Sequence, residues 1–344
     1  MNKLVFAILT LCLFACAGPK PQNPTDRCYE VREITFMSQD GIALAGELTV
    51  PFGPGPHPAM VLLAGTGRHD RDESSVGHRP FLVLSDALAR AGIAAMRYDK
   101  RGVGKSHGNY RETGFLGFTR DGASALDWLA RQPRIDPDRL GFVGHSEGGM
   151  SALIAAVDFT VADVQALALL AAPVVPTETA IRRQSRDLAA AAGETDAEIT
   201  AMDIALTRVF DALEAAPAPQ DARASVKAAV SDLPWLYRYS LTRFWGTKWG
   251  WEIARYEPEK YLGAFSGPVM ALYGTNDLLV DHDLNASAAA RLLHHSGSQV
   301  ITLEGLNHFL QPSKSGAPSE YRHIETTIAP EVLEHLVTFL KKQL

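Results

Sequence analysis

From residue 29 onward the chain alternates short apolar, β-rich runs with segments of helical spacing, and no other feature constrains its fold as strongly. Strand-like runs lie at 31–37, 43–50, 59–64, 93–98, 140–144, 166–170, 269–273 and 299–303. Helical periodicity occupies 81–91, 119–132, 148–157, 286–295 and 330–342. Strands joined through a helix run parallel, because the crossover returns the chain to the same end of the sheet. The expectation is an α/β fold with a mostly parallel sheet of about eight strands. Only the first pair, joined by a turn at Gln39-Asp40-Gly41, reads as a hairpin. Thr119 is placed to N-cap the helix at 119–132, with Pro133 beyond its end.

One stretch breaks the alternation. Between Pro176 and Ala264 there is no strand-like run, only Ala-, Glu- and Arg-rich helical segments with a capping box from Thr195 to Glu198 and a break at Pro217-Ala218-Pro219. A helical cap inserted after the sixth strand is expected over 177–264, dividing the body into 29–176 and 265–344. The chain's 344 residues allow two domains or one enlarged unit, and this pattern selects the second. The insertion holds Trp235, Trp245, Trp249 and Trp251, beside Tyr237, Tyr239 and Phe244. Such rings either build the core that a small helical layer needs or line a lid over an apolar substrate group.

The N-terminal segment carries an address. Lys3 precedes an apolar run at 4–15, the length of a signal-peptide core and short of the roughly 20 residues that span a membrane. The run ends in Leu13-Phe14-Ala15-Cys16, which resembles a bacterial lipobox and makes Cys16 the expected lipid attachment point after removal of the signal peptide. Ala15-Cys16-Ala17 also suits ordinary cleavage after Ala17 and release of a soluble exported protein. Residues 17–28, with Pro19, Pro21 and Pro24, read as a flexible tether. The three cysteines are Cys12, Cys16 and Cys28, so the body has no disulfide framework, CxxC metal site or cysteine nucleophile. A net charge of -6 with no run of five basic residues argues against a nucleic-acid partner. A membrane partner is expected only through a lipid on Cys16, and nothing bears on oligomeric state.

The chemistry centres on Gly144-His145-Ser146-Glu147-Gly148, a GxSxG between a strand and a helix. A serine hydroxyl must project from a sharp turn to be reached, and the glycines let the neighbouring backbone close around it. Serine needs a base. Of eleven histidines, His57, His69, His78 and His107 precede the nucleophile in loop-like segments, while His294, His295, His323 and His335 lie in helical or polar surface segments. His145 adjoins Ser146 and points elsewhere on the turn. His308 remains, just after the last strand, where catalytic groups gather at the carboxyl end of a parallel sheet. Asp277, leaving the penultimate strand at the same edge, is the acid that would orient it, with Asp281 and Asp283 as rivals. Backbone donors for an oxyanion are expected from Glu147 N–H and from the turn Gly65-Thr66-Gly67, with Thr66 preferred to Gly67. The Glu147 carboxylate, in the first turn of a helix, is stabilised there by the helix dipole.

These residues resemble the α/β-hydrolase superfamily, and within it bacterial esterases related to dienelactone-hydrolase-like and prolyl-oligopeptidase-like catalytic domains. The resemblance is carried by Leu63-Ala64-Gly65-Thr66-Gly67 with Asp70-Arg71-Asp72, Tyr98-Asp99-Lys100-Arg101-Gly102-Val103-Gly104-Lys105-Ser106, Gly144 to Gly149, Gly274-Thr275-Asn276-Asp277 and Asn307-His308. It implies Ser146, Asp277 and His308 as a triad and Thr66 and Glu147 as oxyanion donors. It implies a carboxylic-ester hydrolase acting on a small-molecule ester, with a peptidase or amidase of the same fold and a non-catalytic binding protein as alternatives. Arg68, His69 and Glu73 depart from such relatives, which often carry proline, glutamine and glycine there.

Two tempting motifs lack their chemistry. The Gly104-Lys105-Ser106 run has Asp99 where a phosphate-binding loop needs glycine, and Asp99 is instead expected to pair with Arg101. Asp281 to Asn285 begins like a calcium loop, but Ala286 and Leu292 occupy the glycine and bidentate-acid positions. Neither a metal nor a cofactor is indicated.

Overall fold

The sheet has eight strands: β1 (Tyr29–Met37), β2 (Ala43–Pro51), β3 (His57–Leu63), β4 (Ala94–Tyr98), β5 (Ile135–His145), β6 (Ala166–Leu170), β7 (Val269–Gly274) and β8 (Gln299–Leu303). The computed structural model describes residues 20–344; the signal segment and Cys16 lie outside them. The strand order is β1-β2-β4-β3-β5-β6-β7-β8. β2 runs antiparallel to both neighbours, and β4 to β8 pair in parallel. β6 and β7 are buried along their whole length, and β3 and β5 over 59–63 and 140–145, because both faces are covered there, whereas β8 at the sheet edge is only partly buried.

The pleat sends alternate side chains to opposite helical layers. Ala59, Val61 and Leu63 of β3 join a core with α2 (Phe115–Leu129), α3 (Glu147–Ile154) and α10 (His282–Leu292), while Met60 and Leu62 join one with α1 (Pro80–Arg90) and α11 (Pro330–Gln343). Burying one such valine or leucine stabilises the fold by about 1.5–3 kcal/mol, so β3 is anchored from both sides. Between β6 and β7 come α4 (Thr177–Ala191), α5 (Asp196–Ala215), α6 (Ala222–Ala229), α7 (Trp235–Trp245), α8 (Lys248–Ile253) and α9 (Pro258–Ala264), with a third core around Leu206, Phe210 and Trp245. Thr195 caps α5 in a complete capping box with Glu198.

Three local expectations need correction. α2 begins at Phe115 after Gly114, not at Thr119. Thr119 lies inside the helix, its hydroxyl donating to Phe115 O (3.0 Å), and a mid-helix threonine bonded in this way competes with its role as a cap. α10 begins at His282 rather than 286, because Asp281 Oδ1 accepts Leu284 N–H at 2.7 Å and caps the first turn. The proposed tether is held along its described part. Gln22 Oε1 accepts the N–H of Ile328 (2.9 Å) and of Thr327 (2.5 Å), its amide donates to Ile328 O, and Lys20 Nζ donates to Ile324 O. Pro21 and Pro24 block regular structure without freeing this part of the chain, since a polar side chain can still satisfy the backbone it passes.

Candidate active site

Ser146 sits between β5 and α3 with φ 53° and ψ -124°, a left-handed conformation costly for a residue with a side chain. The surrounding glycines make this turn possible. A Cβ on Gly144 would lie 2.4 Å from Gly148 O, and one on Gly148 only 1.9 Å from Leu63 O. The turn is therefore packed against the end of β3, beside the loop Gly65-Thr66-Gly67.

Asp277 leaves β7 and His308 follows β8, both buried. His308 Nδ1 lies 2.9 Å from Asp277 Oδ2, while Asp277 Oδ1 accepts the N–H of Leu279 (2.8 Å) and of Val280 (2.9 Å). A carboxylate only accepts, so the network assigns the imidazole proton to Nδ1 and leaves Nε2 as the basic nitrogen. Asp281, the expected rival, is committed elsewhere: beyond its cap it pairs through Oδ2 with Arg183 at 2.7 Å. Asp283 is exposed at the start of α10 and sits 3.3 Å from His282. Ser146 and His308 line one cavity without a hydrogen bond between them, a gap that commonly closes only when substrate is bound.

The turn after β3 is held by side chains. Gly65 N–H donates to Glu73 Oε1 at 2.6 Å, whereas the N–H groups of Thr66 and Glu147 have no acceptor among the described residues. Glu147 does more than sit at a helix start. Its buried carboxylate accepts from Thr66 Oγ1 (2.9 Å), Trp249 Nε1 (2.8 Å) and Lys100 Nζ (3.2 Å), and Lys100 also donates to Gly65 O. His145 is buried beside this turn, with Nδ1 3.0 Å from Glu73 Oε1 and Nε2 2.9 Å from His308 O. Burial disfavours the charged forms of both, but their mutual attraction prevails. The imidazole is held above its ordinary value and the carboxyl below its own. Burial pushes the His69 imidazole down, and its Nε2 meets Thr66 O at 2.9 Å.

The cavity, about 300 Å³, is lined largely by apolar groups from the body and the insertion. Leu279 and Val280 come from the loop after β7 and Phe309 from the loop after β8; Ile181, Phe244, Trp245, Trp249 and Ile253 come from the helices between β6 and β7. The tryptophans divide by residue between core and cavity wall. Trp245 is core and cavity wall at once, Trp249 bonds to Glu147, Trp251 donates to Ala216 O, and Trp235 is 70% exposed.

The structure overturns the expected pair between Asp99 and Arg101. Asp99 instead binds Arg71 (Nη2 to Oδ2, 3.0 Å) and the N–H groups of Arg71 and Lys105, while Arg101 bridges Asp121 and Asp40. The folded chain carries each of the two charges to a nearer partner from another element. The roles of Lys100, Trp249, Glu73 and His145 were not visible from spacing. Glu73 alone had a signal, as a carboxylate where relatives often carry glycine.

The strand order, the serine turn between β5 and α3 and the histidine after β8 define an α/β hydrolase. The family model described as X-Pro dipeptidyl-peptidase (S15 family) matches residues 40–290, and the chain belongs to that family. The match takes in Ser146 and Asp277 and stops short of His308. Esterase EstD of Thermotoga maritima is 24% identical over 321 residues, which cover 92% of this chain and 70% of the esterase. Other curated relatives, among them a 2,6-dihydropseudooxynicotine hydrolase of Paenarthrobacter nicotinovorans at 29% identity, are matched over less than half their length. Among solved structures, hypothetical protein PA2218 from Pseudomonas aeruginosa aligns with a TM-score of 0.60 at 17% identity, covering 94% of this chain and 96% of that one. The esterase PF2001 of Pyrococcus furiosus aligns at 0.56 and 16%, covering 96% and 98%. The structural likenesses bear on the fold, and the family and the relatives make the chain a hydrolase.

Proposed function

We propose that the chain cleaves carboxylic esters through a covalent acyl-enzyme. Ser146 Oγ attacks the acyl carbon while His308 Nε2 takes its proton. Asp277 holds the imidazole in the required tautomer and stabilises the imidazolium, and the N–H groups of Thr66 and Glu147 receive the negative charge on the carbonyl oxygen. His308 then gives the proton to the leaving alkoxide, and water repeats the sequence to release the acid. The observation that carries this reading is the His308–Asp277 bond, which leaves a basic nitrogen on the cavity where Ser146 stands.

The family favours a second reading, a peptidase that removes X-Pro dipeptides. Such an enzyme has to anchor a free α-amino group, for which a carboxylate is the natural partner. The two carboxylates lining the cavity, Glu73 and Glu147, are already paired with His145 and Lys100, which supports the ester reading. An apolar cavity of about 150 Å³ holds benzene, so about 300 Å³ suits an aryl or short acyl group with its alcohol rather than a long chain. The helices of 177–264 act in this reading as a cap over that group. Comparing p-nitrophenyl acetate, butyrate and palmitate with an X-Pro p-nitroanilide tests it. Fast turnover of the short esters and negligible anilide turnover are expected, and the reverse order assigns the enzyme to peptides. We also propose export, with a lipid on Cys16; Cys16→Ser should move the protein from the membrane to the soluble fraction.

A further inference from the structure

Beneath the turn that carries Ser146 lies a second histidine–carboxylate pair that the ester chemistry leaves without a task. His145 reaches Glu73 through Nδ1 and the carbonyl oxygen of His308 through Nε2, and Glu73 Oε1 also accepts the Gly65 N–H. Both side chains are buried, 6% and 1% exposed. The His145 ring stacks on Phe309 at 5.4 Å and lies 4.8 Å from the His308 ring. Three separate pieces of chain therefore meet on one pair: the turn after β3, the end of β5 and the loop after β8. Each contains a non-glycine residue in the left-handed region, namely Glu73 (φ 53°), Ser146 (φ 53°) and Leu310 (φ 58°), so each needs outside support to hold its shape.

Counting protons narrows what the pair can be. The His308 carbonyl only accepts, so His145 Nε2 must donate; the Gly65 N–H only donates, so Glu73 Oε1 must accept. An ionised carboxylate facing Nδ1 then requires a second ring proton, and a neutral imidazole has only one. A neutral amide in place of Glu73 cannot satisfy all three bonds around a neutral imidazole. An imidazolium against a carboxylate can, as can a neutral imidazole accepting at Nδ1 from a protonated Glu73, and the mutual attraction of the charged forms favours the first. Asp277 adds to the pull on the imidazolium, while Glu73 Oε2 has no hydrogen-bond partner among the described residues; His69, the other imidazole near Glu73, is pushed down by burial, and Lys100 and Glu147 form the neighbouring pair across the Gly65 turn.

We propose that Glu73 and His145 are positioning residues for the reaction: a fixed carboxylate–imidazolium pair that sets the His308 peptide and the Gly65 to Gly67 turn against Ser146, bringing base and oxyanion donors to one carbonyl together. The inference rests on the roles proposed for Ser146 and His308. Misplacing a reacting group by an ångström typically costs about a hundredfold in rate, so Glu73→Gln should lower kcat on p-nitrophenyl acetate by about 10- to 100-fold with KM little changed. Glu73→Asp, which restores the charge, should recover part of the loss.

The charge itself is read in the unaltered protein. With 15N-labelled histidine, and His145→Gln to assign the signal, both ring nitrogens of His145 should carry protons at pH 6.5, where an ordinary imidazole is already half neutral. A singly protonated His145 in that spectrum overturns the proposal, whether or not the variants fold. So does Glu73→Gln with undiminished kcat, or a loss of activity no larger than its loss of folded protein. Ser146→Ala separates the two levels. If it keeps full ester turnover, the ester reading fails; if only the Glu73 and His145 results fail, that reading stands and the positioning role is wrong.

Discussion

Replacing Asp277 with asparagine changes one atom and should stop the proposed reaction through a tautomer. Asp277 Oδ1 accepts two backbone N–H groups at 2.8 and 2.9 Å, and Oδ2 faces His308 Nδ1 at 2.9 Å. An asparagine keeps one oxygen. Turning it toward His308 would set its NH2 against two N–H donors and forfeit two hydrogen bonds worth about 1 kcal/mol each. The oxygen therefore stays on Leu279 and Val280, and the NH2 donates to Nδ1. His308 is then forced to carry its proton on Nε2, where it cannot accept one from Ser146. The same exchange in another serine triad costs about ten-thousandfold in kcat, equivalent to about 5.4 kcal/mol of barrier. The assay is kcat on p-nitrophenyl acetate, with thermal melting to confirm that the variant is folded. Asp281→Asn is the control: asparagine caps α10 as well as aspartate does, so only the ion pair with half-exposed Arg183 is lost, and the change should leave kcat unchanged and cost at most about 1 kcal/mol of stability. A folded Asp277→Asn within about tenfold of the parent would refute the tautomer reasoning.

Other outcomes follow from single contacts. Gly148→Ala should abolish folding or cost more than about 4 kcal/mol in urea denaturation, since its Cβ would fall 1.9 Å from Leu63 O. Trp249→Phe keeps the ring and removes the N–H that Glu147 Oε2 accepts at 2.8 Å. It should cost about 1.5–3 kcal/mol and raise KM for short esters; an unchanged KM and melting curve would show the bond to be idle. Gln22→Ala strands the N–H groups of Thr327 and Ile328 and should cost about 1–3 kcal/mol, with faster amide exchange at both. The Glu73–His145 pair also predicts a pH dependence. His145 is held above its ordinary 6.5, so its stabilisation is full below 6.5 and is lost as pH rises through the folded value. Glu73 is held below its ordinary 4.5, so its share is full above 4.5 and is lost as pH falls through its folded value. The stability gap between the parent and Glu73→Gln should thus be widest between pH 4.5 and 6.5 and narrow on both sides, as chemical denaturation across pH would measure.

The parts legible in the sequence were those written in local periodicity. Every strand run falls on an observed strand, most plainly for β6 and β7, which are covered on both faces and so are apolar over their whole length. Helix starts were less legible. Thr119 has the residue type of a cap, yet Phe115 and Phe118 are buried ahead of it, and packing carried the helix one turn further back. At the site, Ser146, Asp277 and His308 were placed by their positions at strand ends, and the fold brings all three to one edge of the sheet. What spacing could not show were pairings between distant residues. Lys100, Glu147 and Trp249 come from a loop, a helix start and the insertion, and nothing local to any of them names the others. Asp99 and Arg101 erred in the opposite direction, since nearness in sequence suggested a bond that Arg71 and Asp121 took instead.

In the proposed reaction Ser146 becomes covalently acylated by the chemistry of this cavity. Incubation with a fluorophosphonate, followed by digestion and mass spectrometry, tests it most directly. One adduct is expected, on the peptide containing Ser146, absent from Ser146→Ala and strongly slowed in Asp277→Asn. A folded protein left unlabelled under conditions where a known serine esterase reacts, or labelled at another residue, would contradict it.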